Sequence, residues 1–473
     1  MNAPDRQLLE RFSAIVGSSN AIRAEDADLT HYTQENRHIF HGVTPLVLRP
    51  GSTEEVSAIM RLAFETGTAI VPQGGHTGHA GGGAPDDSNT QIVVTMERMN
   101  RLRAIDIAGN TMTVEAGMVL QQVQETAASH DRLFPLSLAS QGSCQIGGNI
   151  STNAGGTGVI AYGNTRDLVL GLEAVLPSGD VWNGLRKLRK DNTGYSLKNL
   201  FIGAEGTLGI VTAAVLKLFP RPKGREVAFA AVASPHQALG LLNLALGAAG
   251  SGLTAFELIH RRPMEFALEH APGSRDPFGE RHEWYVLAEI SSGRSAGDAR
   301  ALAETIFGEA LEADLALDAV LAESLAQQTA FWKLREDMAV AQTREGGSIK
   351  NDISVPVHLI PEFLDKAAVI VAQELPGARI VAFGHMGDGN LHYNISQPKD
   401  GDTAAFLARR TDINDAINAL VISLDGSISA EHGIGRLKRE VMAATKSSVE
   451  MAMMRAVKTA LDPTGIMNPG KVV

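Results

Sequence analysis

Residues 147–156 read Gly-Gly-Asn-Ile-Ser-Thr-Asn-Ala-Gly-Gly and open the glycine cluster at 147–163, one of three such clusters in the first half of the chain. The other two clusters are residues 74–83, with the sequence GGHTGHAGGG, and residues 203–209, with the sequence GAEGTLG. Glycine lets backbone N–H groups approach an anion closely and adopt positive φ angles. One such cluster alone is better explained as ordinary loops of a β-rich domain. A diphosphate that is held by several loops, however, needs this glycine-rich composition in each of them.

The sequence contains neither of the two common phosphate-binding fingerprints. There is no GxGxxG dinucleotide motif after a strand and no phosphate loop ending in Gly-Lys-Ser or Gly-Lys-Thr. We therefore expect a phosphate-containing cofactor to be held in neither the Rossmann nor the P-loop manner.

The first 220 residues alternate between short apolar runs and helical patterns. Residues 45–49 and 68–72 predict strands, and Ser52 with Glu55 predicts a capping box that opens a helix between them. Further strands are predicted within residues 91–119, and a helix follows near 119–129. Residues 168–183 predict a hairpin that turns at Ser178-Gly179 and precedes a strand at 209–218.

The second half predicts a different organisation. Pro220-Arg221-Pro222 breaks the chain, helices dominate residues 235–345 with one strand near 284–290, and the tail predicts a long helix, a glycine loop and a helix near 437–461. A chain of 473 residues is too long for one simple core. We therefore expect an α+β protein with domains at 1–220 and 221–425, and a C-terminal segment at 426–473 that completes the active site and the flavin site.

The composition limits the classes of partner and compartment. A net charge of −11 disfavours nucleic acid, and no run of eighteen apolar residues predicts a membrane span. Cys144 is the only cysteine, and the N-terminus lacks the pattern of a secretory signal. These features predict a soluble cytoplasmic protein, and its size predicts an enzyme.

Together, the glycine clusters resemble the FAD-binding domain of the vanillyl-alcohol oxidase and p-cresol methylhydroxylase superfamily. The resemblance rests on residues 72–78, 147–156, 162–167 and 203–212. It implies a two-subdomain FAD-binding domain, with the diphosphate between residues 74–78 and 140–148. The FAD contacts that it implies are Pro72, Gln73, Gly74, Gly75, His76, Thr77, Gly78, Ser140, Gly142, Ser143, Gly147, Gly148, Thr152, Asn153, Gly155, Gly163, Glu205, Gly209, Ile210, Val211 and Asn468.

His76 leaves two alternatives open. In the relatives that are closest by the other motifs this position is usually Asn, while in some oxidases of the superfamily a histidine after Gly-Gly is bonded covalently to the flavin. We favour a histidine that only hydrogen-bonds the diphosphate.

Residues 384–394 read GHMGDGNLHYN and predict a second hairpin with a Gly-Asp-Gly-Asn turn. Such a turn brings His385 and His392 side by side on neighbouring strands, and the alternation of side chains puts Asn394 on the face of His392. Two imidazoles with a carboxylate suit a divalent transition metal, and Glu431 in the sequence Glu-His-Gly is the candidate carboxylate.

These residues are similar to the FAD-linked D-2-hydroxy-acid dehydrogenases, which include enzymes for D-lactate, glycolate and D-2-hydroxyglutarate. The resemblance implies that His385, His392 and Glu431 bind a metal ion, with zinc favoured, and that His432 is the general base. It also implies that Arg335, Lys350 and Asn394 bind the substrate, as in the D-2-hydroxyglutarate branch. A threonine expected four residues after the arginine is Ala339 here, which leaves the identity of the acid open.

The expected reaction is FAD-dependent, metal-assisted oxidation of a D-2-hydroxy acid to the 2-oxo acid, with D-2-hydroxyglutarate favoured. D-lactate, D-malate and glycolate remain alternative substrates, and an oxidase that uses O2 or a subunit that only passes electrons remains an alternative function. A surface ion pair with Glu336 or Asp337 is the alternative role for Arg335. The expected electron acceptor is electron-transfer flavoprotein or the quinone pool, and a homodimer is the expected oligomer.

Overall fold

The computed structural model describes residues 3–35 and 37–473. The α-helices of these residues are α1 (Arg6–Val16), α2 (Thr30–Thr33), α3 (Thr53–Thr66), α4 (Leu120–Ser129), α5 (Ile146–Ser151), α6 (Val159–Tyr162), α7 (Thr165–Leu168), α8 (Lys198–Phe201), α9 (Pro235–Ala249), α10 (Arg261–His270), α11 (Ala296–Glu312), α12 (Leu325–Ala341), α13 (Ile360–Glu374), α14 (Thr403–Ala408), α15 (Arg410–Ser423), α16 (Arg439–Thr445) and α17 (Ser448–Leu461).

The strands of the same residues are β1 (Ala21–Arg23), β2 (Leu46–Leu48), β3 (Ala69–Gln73), β4 (Gln91–Thr95), β5 (Leu102–Asp106), β6 (Thr111–Glu115), β7 (Arg132–Leu133), β8 (Val169–Val175), β9 (Val181–Gly184), β10 (Ile210–Lys217), β11 (Phe219–Pro220), β12 (Gly224–Val232), β13 (Leu253–His260), β14 (Trp284–Ser292), β15 (Asp318–Leu321), β16 (Ser348–Ile349), β17 (Asp352–Ser354), β18 (Arg379–His385) and β19 (Asn390–Ser396). This mixture of helices and largely antiparallel sheets confirms the predicted α+β class.

The chain divides into two compact units. The first unit consists of Met1–Gly155, Gly163–Pro220 and Glu431–Val473, and the second consists of Gly156–Tyr162 and Arg221–Ala430.

The first unit contains a four-stranded sheet in the order β1-β2-β4-β3. Strand β4 pairs in parallel with β2 and β3, and β3 is followed by the glycine loop that starts at Gly74. Helix α3 connects β2 to β3, and the Ser52 hydroxyl caps it by accepting a hydrogen bond from the Glu55 amide. The Glu55 carboxylate accepts the Gly51 amide at 2.7 Å, one residue before the partner that a capping box would use.

The first unit also contains a five-stranded antiparallel sheet in the order β5-β6-β10-β8-β9. Strands β8 and β9 form the hairpin predicted at 168–183, with Gly179 at a φ of 86° in its turn. A buried carboxylate ties helix α3 to this sheet, because Glu173 accepts hydrogen bonds from Thr53 at 2.7 Å and from Arg103 at 3.0 Å. Helix α3 is therefore linked by hydrogen bonds to the five-stranded sheet.

The C-terminal residues of the chain extend the four-stranded sheet of the first unit. The Ile70 amide donates to the Ile466 carbonyl at 2.8 Å, and the Asn468 amide donates to the Ile70 carbonyl at 2.8 Å. Helix α17 is fixed through Lys458, whose ammonium donates to the carbonyls of Thr207 and Met467, both at 2.8 Å.

The second unit is built around one eight-stranded sheet. Its order is β15-β12-β14-β13-β18-β19-β16, and the short strand β17 also pairs with β19. Apolar side chains of this sheet and of helices α9, α11, α13 and α15 form the main core, where Phe256, Phe363 and Tyr393 are almost fully buried.

The prediction of one strand within 235–345 was wrong, because β13 and β15 accompany β14. Strand β13 is buried along nearly its whole length, so it lacks the alternation that marks a strand with one solvated face. The helix predicted near 437–461 is two helices, since Ser447 caps α17 through a capping box with Glu450. The long helix predicted in the tail is likewise divided into α14 and α15 at Arg409.

Within the described ranges, no helix has both the length and the apolar character that crossing a membrane requires.

Candidate functional site

The loop after β3 carries a series of unpaired backbone donors. Among the described residues, the amides of Gly75, His76, Thr77 and Gly78 have no hydrogen-bond acceptor. The Gln73 side chain fixes the start of the loop by donating to the carbonyls of Tyr32 at 2.9 Å and Gly83 at 2.8 Å. Successive free amides in a loop of this kind form a concave site for an anion.

A second glycine-containing segment lies against this loop. A Cβ on Gly75 would overlap the Ser143 carbonyl oxygen, and a Cβ on Gly74 would lie 3.4 Å from the Gly148 amide nitrogen. Only glycine permits this approach at position 75. The structure thus brings together residues 74–78 and 140–148, the two segments that the sequence predicts around the diphosphate.

His76 lies in this loop with a φ of 54°. Its Nε2 atom donates to the Gln34 carbonyl at 2.8 Å, which leaves the proton off Nδ1 in the neutral ring. Burial lowers the pKa of His76 below its usual value, so the ring is neutral at pH 7.

The 203–209 loop contacts the C-terminal residues of the same unit through Glu205. The two oxygens of this carboxylate accept the amides of Ile434 at 2.7 Å and Gly435 at 2.8 Å. The Asn468 side chain donates to the carbonyls of Glu205 at 2.7 Å and Gly82 at 2.9 Å. Burial raises the pKa of the Glu205 carboxyl. Glu205 and Asn468, which were predicted as FAD contacts, therefore also join three loops of the first unit.

The remaining predicted FAD residues lie in the same unit. The Asn153 side chain accepts the Arg166 amide at 2.9 Å, and the Thr152 hydroxyl donates to the Gly148 carbonyl at 3.1 Å. The others lie in loops, in strands or at the start of a helix, as follows: Pro72 in β3, Ser140, Gly142 and Ser143 in the turn before α5, Gly147 in α5, Gly155 and Gly163 in loops, Gly209 before β10, and Ile210 and Val211 in β10.

Lys471 is a candidate cofactor contact that the sequence analysis missed. Its side chain is 1% exposed, and its ammonium has no hydrogen-bond partner in the described residues. Burial lowers the pKa of Lys471 to about 8. A buried ammonium and a loop of free amides are the groups that the phosphates and ring of FAD require, so the first unit fits this cofactor. The signal was present in the sequence as Pro469-Gly470-Lys471.

Glu431 and His432 belong to the first unit and directly precede the glycine turn at 433–435. The His432 ring lies edge-on to the ring of His79, with centroids 4.8 Å apart and an interplanar angle of 73°. Both Glu431 and His432 are half-buried.

The second unit forms the predicted hairpin from β18 and β19. His392 is paired with Phe383, so His385 lies on the same face two residues further along β18. The ring centroids of His385 and His392 are 5.8 Å apart. Asn394 is paired with Val381 on that face, and its amide donates to Gln342 at 3.0 Å. The hairpin therefore brings these three side chains to one face, as the sequence predicts.

A buried carboxylate that the sequence analysis missed lies at the centre of this face. Glu257 in β13 is fully buried, and it accepts hydrogen bonds from Arg335 Nε at 2.7 Å and from His385 Nδ1. Burial alone would raise the pKa of Glu257, but the charges of Arg335 and His385 hold it well below its usual value. The available signal was an acidic residue inside the apolar run LTAFELIH, because a charge is rarely buried unless it is paired.

Arg335 lies on α12 and is 7% exposed. Its guanidinium carbon is 4.6 Å from the centroid of the Phe383 ring, and its ion pair is with Glu257. The neighbouring carboxylate of Asp337 pairs with Lys333 instead. Arg335 therefore forms a buried ion pair with Glu257, and the alternative of a surface ion pair with Glu336 or Asp337 was wrong.

Lys350 and Ala339 are both exposed. Lys350 lies between β16 and β17, and Ala339 lies one helical turn after Arg335.

Asp352 is a further acidic residue that the sequence analysis missed. It is paired with His392 across β17 and β19, is 3% exposed, and accepts a hydrogen bond from Asn390 at 3.0 Å. Its carboxylate and the His392 ring have ligand atoms within 4.8 Å of each other.

The donor set of the second unit fits a divalent transition metal. The His392 ring and the Asp352 carboxylate have ligand atoms within 4.8 Å of each other, and the His385 ring centroid lies 5.8 Å from that of His392. Because Nδ1 of His385 contacts Glu257, its Nε2 would be the nitrogen that holds a metal.

Two families of known proteins match this chain. The family described as FAD binding domain matches residues 44–184, and the family described as FAD linked oxidases, C-terminal domain, matches residues 221–472. The two matches leave residues 185–220 between them.

Curated relatives match almost the whole chain. The D-2-hydroxyglutarate dehydrogenase of Xanthomonas citri is 38% identical over 95% of this chain and 94% of its own length. The mitochondrial D-2-hydroxyglutarate dehydrogenase of Arabidopsis thaliana is 36% identical over 99% and 82%. The D-2-hydroxyglutarate dehydrogenase of Stutzerimonas stutzeri is 36% identical over 99% of each chain.

Solved structures match the fold. Alkyldihydroxyacetonephosphate synthase superposes with a TM-score of 0.73 at 17% identity, covering 99% of this chain and 86% of its own. p-Cresol methylhydroxylase with substrate bound superposes with a TM-score of 0.72 at 16% identity, covering 98% and 96%. The predicted fold of the p-cresol methylhydroxylase type is thereby confirmed.

The glycine loops, the buried lysine and both family matches agree on FAD as the cofactor. The chain belongs to the family of FAD-linked oxidases that includes these D-2-hydroxyglutarate dehydrogenases.

Proposed function

We propose that this protein oxidises a D-2-hydroxy acid to the 2-oxo acid with FAD as the electron acceptor, and that D-2-hydroxyglutarate is the preferred substrate. The observation that carries the proposal is the buried Glu257–Arg335–His385 network, which combines a cation for a substrate carboxylate with a candidate metal ligand. The relatives named for this activity are 36–38% identical over most of the chain.

Arg335 is the proposed grip on a substrate carboxylate. Its Nε atom is engaged by Glu257, while its two terminal nitrogens have no acceptor among the described residues. A guanidinium edge of this kind binds a carboxylate through two parallel hydrogen bonds. We propose that Lys350 adds a second positive charge and that Asn394 contributes an amide to substrate binding. Two cations, Arg335 and Lys350, favour an acid with two carboxylates.

The proposed metal ligands are His385, His392 and Glu431, and zinc is the proposed ion. A bound divalent metal would lower the pKa of the substrate hydroxyl and hold the acid in one pose. His432 is the proposed base for the hydroxyl proton, because an imidazole with an ordinary pKa of ~6.5 accepts a proton at neutral pH. FAD supplies the oxidising power by accepting two electrons from the substrate carbon.

D-lactate, D-malate and glycolate are the alternative substrates, because Ala339 stands where the D-2-hydroxyglutarate branch has threonine. The proposed acceptor of the electrons is electron-transfer flavoprotein or the quinone pool, and direct use of O2 is the alternative. We also propose a cytoplasmic homodimer, and the single, buried cysteine is in keeping with a reducing compartment.

The test is a panel of D- and L-2-hydroxy acids, each added anaerobically to the purified yellow protein. We expect D-2-hydroxyglutarate to bleach the flavin absorbance faster than D-malate, D-lactate and glycolate, and L acids to leave it unchanged. A faster reaction with a monocarboxylate would contradict the proposed substrate, and hydrogen peroxide released as fast as a dye is reduced would favour the oxidase.

Arg335→Ala tests the carboxylate grip, and Lys333→Ala on the same helix is its matched control. We expect KM for D-2-hydroxyglutarate to rise about a hundredfold in Arg335→Ala, because a paired charge-assisted contact is lost. Lys333 is exposed and pairs with Asp337, so its variant should keep the wild-type KM. Equal KM values in the two variants would refute the role of Arg335.

The attachment of FAD is tested separately by precipitation with trichloroacetic acid. We expect a colourless pellet and a yellow supernatant, since His76 is proposed to contact FAD without a covalent bond. A yellow pellet that becomes colourless in His76→Ala would assign a covalent bond to this ring.

A further inference from the structure

One carboxylate in the second unit contacts both the proposed substrate arginine and a proposed metal ligand. Glu257 is 0% exposed, and each of its two oxygens has a different cationic or polar partner. Oε2 accepts from Arg335 Nε at 2.7 Å, and Oε1 contacts His385 Nδ1.

We infer that Glu257 is a positioning residue that couples the binding of the substrate carboxylate to the binding of the metal ion, by fixing Arg335 and His385 with the same side chain. This inference rests on the proposed function. It assigns to Glu257 a role that neither the family resemblance nor any motif in the sequence indicated.

The sheet itself fixes the contact with His385. Glu257 and His385 are direct partners across β13 and β18, and β13 also pairs with β14 on its other side. A residue in the interior of a sheet has little freedom to shift, so its carboxylate is a rigid reference for the imidazole. An ionised carboxylate can only accept, so Nδ1 of His385 carries the proton and Nε2 becomes the ligand atom.

The contact with Arg335 selects which edge of the guanidinium remains. Nε of Arg335 donates to Glu257, so the two terminal nitrogens form the edge of the guanidinium that can bind a substrate carboxylate. The Phe383 ring, 4.6 Å from the guanidinium carbon, supports the same orientation by packing against its flat face. Loss of Glu257 would therefore release two groups at once.

A purely structural ion pair is the alternative explanation of Glu257. Buried charges are costly, and well-packed apolar residues stabilise a core at least as well, so the network is poorly explained by stability alone. The two explanations differ in what a shape-preserving variant changes: a structural role alters the unfolding free energy, whereas a coupling role alters two binding constants.

The experiment compares Glu257→Gln with Glu289→Gln. Glu289 is the matched control, because it also lies in the central sheet and contacts α12, through Trp332 Nε1 at 3.1 Å. Binding of Co²⁺ and Zn²⁺ is measured by competition with a chromophoric chelator, and binding of 2-oxoglutarate by the perturbation of the flavin spectrum. Thermal melting and FAD content are recorded for each variant.

We expect Glu257→Gln to weaken both metal binding and 2-oxoglutarate binding by at least about tenfold, with FAD content unchanged. Glu289→Gln should leave both constants at the wild-type values. Wild-type constants in a folded Glu257→Gln protein, or a change in only one of them, would overturn the coupling while leaving the proposed function intact. A wild-type protein that binds neither probe would overturn the proposed function, and the inference with it.

Arg335→Gln is the second variant, for use if Glu257→Gln does not fold. Arg335 is not a proposed metal ligand, so a direct effect on metal binding is not expected. If Glu257 couples the two sites, losing its Arg335 partner disturbs the anchor of His385 and weakens Co²⁺ binding severalfold. Unchanged Co²⁺ binding in this variant would overturn the inference.

Discussion

At the scale of single residues, buried charges carry the most information in this chain. Lys471 is 1% exposed without a hydrogen-bond partner in the described residues, whereas Lys458 is half-buried and donates to Asp462 and two carbonyls. The two lysines lie in the same unit, so they form a natural pair for comparison. The Lys458 ammonium therefore has three acceptors in the protein, whereas the Lys471 ammonium has none in the described residues.

Lys471→Met should stabilise the apoprotein and weaken its binding of FAD. Because burial lowers the pKa of Lys471 to about 8, the charged ammonium costs folding free energy on the order of 1–3 kcal/mol at pH 7. The cost is complete below pH 8 and disappears as the pH approaches 10.5, the ordinary pKa of lysine. Urea unfolding of the apoprotein at pH 7 and pH 10 measures the difference.

Lys458→Met is the control, and it should destabilise the apoprotein because three acceptors lose their donor. A Lys471→Met variant that is less stable than wild type at pH 7, or that retains FAD equally well, would contradict the assignment of Lys471 to the cofactor.

The sequence was sufficient for residues whose chemistry is local and insufficient for those paired across the fold. The spacing of His385 and His392 around a glycine turn is a local pattern, and the structure places them on one face. Glu257 meets His385 across 128 positions of sequence, and no local pattern predicts that register. Asp352 was missed for the same reason, since its partner His392 lies on another strand.

At the scale of elements, the turn between β18 and β19 sets the register of the candidate metal site. Gly389 has a φ of 91°, and a Cβ there would overlap the Val355 carbonyl oxygen. A one-residue slip would turn His392 and Asn394 to the opposite face of the sheet.

Gly389→Ala should therefore lower the unfolding free energy by about 2–4 kcal/mol, from backbone strain and steric overlap together, and should also reduce metal binding. Urea unfolding and metal analysis of the purified protein measure the two effects. Gly279→Ala is the matched control in the same unit, because a Cβ there meets no atom within 4 Å. Equal stability of the two variants would refute the importance of this turn.

Elements with strong local signals were predicted well, and buried elements were not. Helix α3 has the N-cap Ser52 and an apolar face, and it was predicted near its true position. Strand β13 was missed because almost every residue is buried, which removes the alternating pattern. The division between α16 and α17 was missed although Ser447 and Glu450 carry a recognisable capping box.

At the scale of the whole molecule, the proposed FAD contacts lie in one unit, whereas the proposed metal ligands come from both units. The proposed FAD contacts and Glu431 belong to the first unit, and His385 and His392 belong to the second. Because two of the three proposed metal ligands lie outside the unit with the FAD contacts, we expect the metal ion to be removable while FAD stays bound.

Treatment with a strong chelator should leave the visible spectrum of bound FAD unchanged and abolish its bleaching by D-2-hydroxyglutarate. The reason is that the metal is proposed to hold the substrate and not the flavin. Addition of Zn²⁺ should restore bleaching, and Mg²⁺ should not, since imidazole ligands favour transition metals. Full bleaching after exhaustive chelation would show that the reaction needs no metal.

The hydrogen bonds from Ile70 to Ile466 and Asn468 have a consequence for synthesis on the ribosome. Strand β3 of the first unit precedes its partner residues 466–468 in the sequence, and the whole second unit is translated between them. The second unit, by contrast, ends at residue 430 and can finish folding earlier. The outer edge of β3 therefore stays unpaired during synthesis until residues 466–468 have been added, and an unpaired strand edge is a site at which a nascent chain can aggregate.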